Sequence, residues 1–145
     1  MFIPPPILLL LAIGLSYLVS FIPGLQLIAS PFNLLGLGLI VIGIGLFIWS
    51  VATLQRHKTT LDPRGKPLAL VTIGPYRFSR NPIYLGFFLI SLGTAVLFAN
   101  ILAFVGPLVF FFFINTFVIP FEEETLTALF GDSYQLYRKR TRRWV

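Results

Sequence analysis

Charged residues divide this chain sharply. All eleven Lys and Arg and all five Asp and Glu fall within residues 56–80 and 122–143, and everything else is uncharged. The uncharged remainder reads as apolar helices at about 6–22, 32–54, 83–98 and 101–119. A bilayer core needs roughly 20 apolar residues per helix, so the second and fourth fit well and the first and third are short, as in thinned bilayer or a re-entrant segment. Residues 83–120 would run roughly 57 Å as one straight helix, far more than one crossing. The chain is therefore expected to fold back at Ala99 and Asn100 in a tight antiparallel hairpin, and Pro23 with Gly24 opens the other uncharged connection.

Composition agrees with that pattern. The chain has 145 residues, 57% hydrophobic and 11% charged, against roughly 25% charged in an average soluble domain. Its sixteen phenylalanines could fill a soluble core, but too few polar residues exist to cover one, so lipid must do part of the covering. The expected fold class is all-α: a polytopic transmembrane helical bundle of about four spans. It forms a single membrane domain over 1–145, with an N-terminal helix pair (1–54) and a core (55–145). The absence of cysteine removes disulfides, thiolate nucleophiles and sulfur-ligated metals.

The net charge of +6 does not point to nucleic acid, because the basic residues flank apolar segments and are not interleaved with exposed aromatics on a polar domain. Even numbers of spans separate the N-terminus from each charged stretch, which puts both on one side. The positive-inside rule makes that side cytoplasmic, together with both termini. Residues 1–6 carry no basic region of the kind that precedes a cleavable signal peptide, so the first apolar run is expected to stay. In the second span Gly36, Gly38, Gly43 and Gly45 repeat at a spacing of seven, which returns nearly to one helix face and permits close helix packing. Nucleotide binding by Gly36-Leu37-Gly38 would need a preceding strand and an exposed helix start.

The connector between the second and third spans contains Asp62-Pro63-Arg64-Gly65, residue types suited to a type I turn. Residues 68–73 follow as an apolar run too short to cross lipid, expected at the membrane surface and closed by Gly74-Pro75. Asn81 and Pro82 suit an N-cap and first helical position for the third span. In the second charged stretch, Glu122 and Glu123 precede Leu126 by four and three residues and share its apolar face, whereas Glu124 points elsewhere. Two carboxylates on such a face need partners, because an unpaired buried carboxylate costs several kcal/mol. Arg77, Arg80, the tail arginines or a cationic ligand are the available cations. Gly131 is expected to break the helix, with Asp132 and Gln135 resembling a capping box and Tyr134 and Tyr137 sharing one face of a final short helix. The tail from Arg138 is expected to face lipid headgroups, with Trp144 at interfacial depth and one arginine able to reach the site. His57 reads as a solvated flank, and no second His or Cys supports a metal site. No Ser, His and Asp share a plausible location for a hydrolytic triad.

Three blocks of the C-terminal half resemble the membrane methyltransferases that include isoprenylcysteine carboxyl methyltransferase and the phospholipid N-methyltransferases. They are Leu70-Val71-Thr72-Ile73-Gly74-Pro75-Tyr76-Arg77, then Arg80-Asn81-Pro82-Ile83-Tyr84-Leu85-Gly86, then Glu122-Glu123 with Leu126, Phe130-Gly131, Tyr134, Tyr137 and Arg143-Trp144. The resemblance implies S-adenosyl-L-methionine held at the cytoplasmic face between the 55–82 connector and the C-terminal segment. It further implies a hydrophobic or lipid acceptor entering from the bilayer. Leu68, Ala69, Leu70, Val71, Gly74 and Tyr76 would line the cofactor, as would Asn81, Pro82, Ile83 and Tyr84, with Glu122 completing the pocket. Arg80 and Glu123 are the catalytic candidates that it implies. Glu122 suits the cofactor's ammonium and Arg80 its carboxylate, and positioning and electrostatics would carry most of the catalysis.

Carboxyl methyltransferase members usually show His where this chain has Asn81, and an arginine associated with the prenylated carboxylate where it has Val118. The resemblance thus bears on the cofactor more than on isoprenylcysteine as substrate. Two other readings make different predictions. A relative of the membrane sterol reductases would bind reduced nicotinamide dinucleotide phosphate, although about ten spans are usual there. A non-enzymatic membrane scaffold would bind no soluble cofactor.

Overall fold

A computed structural model describes residues 3–24, 26–59 and 67–145. The turn expected at Asp62-Pro63-Arg64-Gly65 lies outside the described residues. Among those described, the regular structure is helical: α1 (Pro5–Ser20), α2 (Leu35–Arg56), α3 (Pro82–Phe98), α4 (Val105–Phe113) and α5 (Ile119–Arg140). Short 3-10 turns precede α2, α3 and α4, and a π-helical turn, Ile114–Val118, joins α4 to α5.

Helix α3 lies at the centre, in contact with α1, α2 and α4. Its tightest partner is α2, and glycines explain why. Gly36 and Gly43 of α2 lie against the backbone of Gly93 and Gly86 of α3, so that a Cβ on Gly43 would sit 2.6 Å from the Gly86 carbonyl and one on Gly86 would sit 2.8 Å from that of Gly43. Two of the four glycines expected to pack do so. Gly38 and Gly45 face open space, because a step of two residues turns a helix by more than half a revolution. The matching glycines of α3 carry the same spacing of seven. On the other flank of α3, Ser16 of α1 donates to the Ala103 carbonyl at 2.6 Å, and Gly106 lies against Ala12 and Ser16.

The reversal at Ala99-Asn100 is as expected, and its cause is visible. Ala99 adopts a left-handed backbone (φ 55°) without being glycine. Asn100, fully buried, supplies the compensation: its Oδ1 accepts from the Leu102 amide at 2.9 Å. Its Nδ2 donates to the carbonyls of Ser20 at 3.2 Å and Ile22 at 2.9 Å. One side chain therefore ties both uncharged connections together at one end of the bundle, which leaves the charged ends of α2, α3 and α5 at the other.

The fourth apolar segment does not stop near residue 119. Helix continues from Ile101 to Arg140, 40 residues, through Pro120. Proline lacks the N–H that an α-helix needs and its ring crowds the carbonyl four residues earlier. Here the π-helical turn immediately before α5 has already shifted the hydrogen-bond register, so the helix carries on. The expected break at Gly131 does occur, as a non-helical kink (φ 48°, ψ −122°) inside α5.

This helix and the one over Phe32–Arg56 are long and apolar enough to cross a membrane, while α1 and α3 are shorter apolar helices of 16 and 17 residues. Large apolar side chains point outward along them, among them Leu10, Leu11 and Leu18 of α1, Val41, Ile42 and Ile48 of α2, and Leu108 and Phe112 of α4. Inside, Leu8, Leu9 and Ala12 meet Tyr84, Phe87, Phe110, Ile114 and Ile119. A bundle apolar both inside and out is the arrangement of a membrane protein.

Candidate functional site

At the charged end of the bundle the connector leading into α3 runs across the ends of α2 and α5. Its apolar residues separate by side. Val71 is buried, whereas Leu68 is 80% exposed and Ile73 is also exposed. Gly74 takes a positive φ of 60° at the start of a 3-10 turn, Gly74–Arg77, and lies against Thr53 and Trp49 of α2. Tyr76 follows, buried, and its carbonyl accepts from the Tyr137 hydroxyl at 2.6 Å. Tyr76 and Tyr137 thus fasten the connector to the last turns of α5.

Between these elements lies a cavity of about 310 Å³, at the lower end of the roughly 300–1,000 Å³ usual for small-molecule sites. Of the residues expected to hold the cofactor, Ala69, Leu70, Val71, Tyr76, Asn81, Pro82, Ile83, Tyr84 and Glu122 line it, as do Arg80 and Glu123. Leu68 faces away into the surroundings, and Gly74 sits behind the wall, where its backbone lets the connector approach α2. The cavity is not bounded by the connector and the C-terminal segment alone. Pro5 and Pro6 of α1 and Phe47, Val51 and Leu54 of α2 also line it, so the N-terminal helix pair contributes a wall.

The acidic triplet divides as the helical spacing requires. Glu123 is buried, Glu122 is half-buried and Glu124 is exposed. Glu122 accepts a hydrogen bond from the Tyr84 hydroxyl of α3. It lies beyond the uncharged span of its helix, and burial pushes its carboxyl up to about 7 despite the Tyr84 hydrogen bond, with the neighbouring Glu123 charge adding to the rise.

Glu123 is paired with two of the arginines anticipated for the acidic pair. Arg80 forms an ion pair at 2.9 Å, and Arg143 of the tail forks across the carboxylate, Nη2 to Oε2 at 2.7 Å and Nε to Oε1 at 3.2 Å. Arg77, the other nearby candidate, is exposed. Two polar groups on the cavity wall lack hydrogen-bond partners although they are buried: the Tyr76 hydroxyl, and Nε and Nη1 of Arg80. The Arg80–Glu123 contact is close but not aligned as a hydrogen bond.

The tail does more than face headgroups. Arg143 and Trp144 turn back onto the bundle, where both donate to Oδ1 of Asn115 in the π-helical turn, at 3.3 and 3.1 Å. The half-buried Trp144 ring lies 4.9 Å from that of Phe111. Asn81 occupies the N-cap position of α3 as expected, but its side chain makes no capping bond. Its Nδ2 donates to the Arg143 carbonyl at 3.0 Å instead, and the Arg80 amide donates to the Arg142 carbonyl at 3.0 Å. Asn115 was not anticipated from sequence, although a lone amide inside an apolar span is a signal worth following.

An ammonium has a carboxylate here, a carboxylate has unfilled guanidinium donors, and a planar apolar group has Val71, Ile83 and Phe87. In charge and shape these groups are complementary to the amino-acid and adenosine parts of S-adenosylmethionine.

Comparison with known proteins finds methyltransferases. The chain is 35% identical over 132 residues to protein-S-isoprenylcysteine O-methyltransferase of Schizosaccharomyces pombe, covering 86% of this chain and 51% of that protein. Protein-S-isoprenylcysteine O-methyltransferase B of Arabidopsis thaliana is 35% identical over 109 residues, 72% of this chain and 54% of that one. Methanethiol S-methyltransferase 1 of Bradyrhizobium diazoefficiens is 38% identical over 83 residues, 57% of this chain and 26% of that one. This chain thus spans about half the length of the two isoprenylcysteine relatives. Residues 32–133, from the 3-10 turn before α2 through the acidic triplet to just past the Gly131 kink, match the model of the phospholipid methyltransferase family, and the chain belongs to that family.

Proposed function

We propose that this protein transfers the methyl group of S-adenosylmethionine to a hydrophobic or lipid acceptor at the cytoplasmic face of a membrane. The observation that carries the reading is a largely apolar cavity whose lining brings together the Glu122 carboxyl and the Arg80 guanidinium. An anionic and a cationic group in one site suit a zwitterion, and an amino-acid group is one. In this reading four apolar helices cross or enter the bilayer, and both charged stretches lie on the cytoplasmic side with the termini. When bound, S-adenosylmethionine supplies an electrophilic methyl group on a sulfonium. Glu122 would hold the ammonium and Arg80 the carboxylate. Tyr76 offers its hydroxyl to a further polar atom. Val71, Ile83 and Phe87 exclude water, which strengthens each of these contacts. Acceptor positioning then accounts for most of the rate, and no residue needs to form a covalent intermediate.

Calorimetric titration of S-adenosylhomocysteine into the detergent-solubilised protein tests this, with reduced nicotinamide dinucleotide phosphate as control. Saturable binding of the first alone is the expected result. Binding of the second alone would replace the reading with a reductase, and binding of neither in folded protein would leave a scaffold.

A pH dependence follows from Glu122. Its carboxyl must be ionised to hold an ammonium, and burial has raised it to about 7 in the free protein. Affinity for S-adenosylhomocysteine should therefore be full well above neutrality and fall by up to about tenfold per pH unit below it. Tyr84→Phe removes a bond that lowers this value, so it should move the midpoint to higher pH. A flat profile from about pH 5.5 to about pH 8.5 would detach the ammonium from Glu122.

A further inference from the structure

Glu123 stands between two guanidiniums that it treats unequally. Arg143 takes the bidentate position, with two aligned hydrogen bonds to the two carboxylate oxygens, the geometry that joins arginine and carboxylate most strongly. Arg80 touches one oxygen at 2.9 Å without alignment. Its side chain is only 10% exposed, and Nε and Nη1 find no hydrogen-bond acceptor. A buried guanidinium with unfilled donors is costly unless something fills them. Alone, Glu123 would swing to Arg80, saturate it and cancel its charge. With Arg143 holding the carboxylate, the trio Arg80, Glu123 and Arg143 carries a net charge of +1, and of the two arginines it is Arg80 that lines the cavity. Arg143 is itself held at the right place, by Asn115 at 3.3 Å and through its carbonyl by Asn81 at 3.0 Å.

We infer that Arg143 is a positioning residue: by holding Glu123 from outside the cavity, it keeps that carboxylate from saturating Arg80, whose remaining capacity binds the carboxylate of the cofactor. This rests on the methyltransferase reading above and adds to it a residue that does not line the cavity. The tail beyond α5 thereby becomes part of the binding machinery.

The test compares two probes by calorimetry: S-adenosylhomocysteine, and its decarboxylated analogue, which keeps the ammonium and lacks the carboxylate. Wild type should prefer the first. Arg143→Gln should weaken the first by at least about tenfold and the second by no more than about twofold, so the preference is lost. Adding Glu123→Gln to that variant removes the competing carboxylate and should restore the preference to within about threefold of wild type. Should Arg143→Gln not fold, Arg143→Lys keeps the charge and should keep most of the preference. Equal weakening of both probes, no recovery in the double variant, or loss of the preference in folded Arg143→Lys would overturn the inference while leaving the cofactor reading in place. Failure of wild type to bind either probe would overturn the cofactor reading, and this role with it.

Discussion

Replacement of Glu122 by glutamine is expected to abolish measurable binding of S-adenosylhomocysteine while the solubilised protein stays folded. The two halves of that outcome have separate causes. Glutamine keeps the size of the side chain and leaves an amide oxygen for the Tyr84 hydroxyl, and no cation of the protein depends on Glu122, since Arg80 and Arg143 are paired with Glu123. Removal of this half-buried carboxyl, whose pKa is raised, is therefore close to neutral for the fold. A bound ammonium would lose its counter-charge in a site walled by apolar side chains. Truncating one member of such a buried pair costs roughly 2–5 kcal/mol, or roughly 30-fold to several thousandfold in affinity. Undiminished binding by folded Glu122→Gln would relocate the ammonium and with it the cofactor.

The second large effect concerns the scaffold. Gly93→Val, or Gly86→Val, should lower the thermal unfolding midpoint in detergent far more than Gly38→Ala or Gly45→Ala. A Cβ at position 93 or 86 meets the backbone carbonyl of Gly36 or Gly43, and behind it Ile40 or Phe47. Backbone cannot swing aside as a side chain can, so α2 and α3 must separate along their whole contact. Overpacking of this kind costs about 3 kcal/mol, and separation also opens the cavity wall formed by Phe47, Val51 and Phe87. Ligand affinity should fall in parallel. Gly38 and Gly45 face open space, where an added methyl meets nothing and favours helix. Equal midpoints for Gly93→Val and Gly45→Ala would mean that the helices do not meet through these glycines.

Much of the site was legible because helical spacing is rigid. Three consecutive glutamates on a helix must point three ways, so the sequence alone separates Glu124 from the pair beside Leu126. Asn81-Pro82 marks the start of α3 for a comparable reason: Pro fixes φ and needs no hydrogen-bond partner at a first helical position. Leu68 and Gly74 show the limit of the motif. They belong to the same run as Val71 and Tyr76, but which side chains of an irregular connector face inward depends on how its backbone turns, and no period predicts that.

Charge segregation and the reversal at Ala99-Asn100 were thus determined by the sequence itself, because lipid tolerates neither unpaired charge nor unpaired backbone and so leaves the chain few arrangements. Tertiary structure alone decided three other things. It chose Gly36 and Gly43 over Gly38 and Gly45, since only the neighbouring helix defines a packing face. It carried the last helix through Pro120, since a π-helical turn upstream removes the clash that the local sequence predicts. It also folded Arg143 and Trp144 onto Asn115 and Glu123, residues 20 to 29 positions earlier, and contacts at that separation are written in no local pattern.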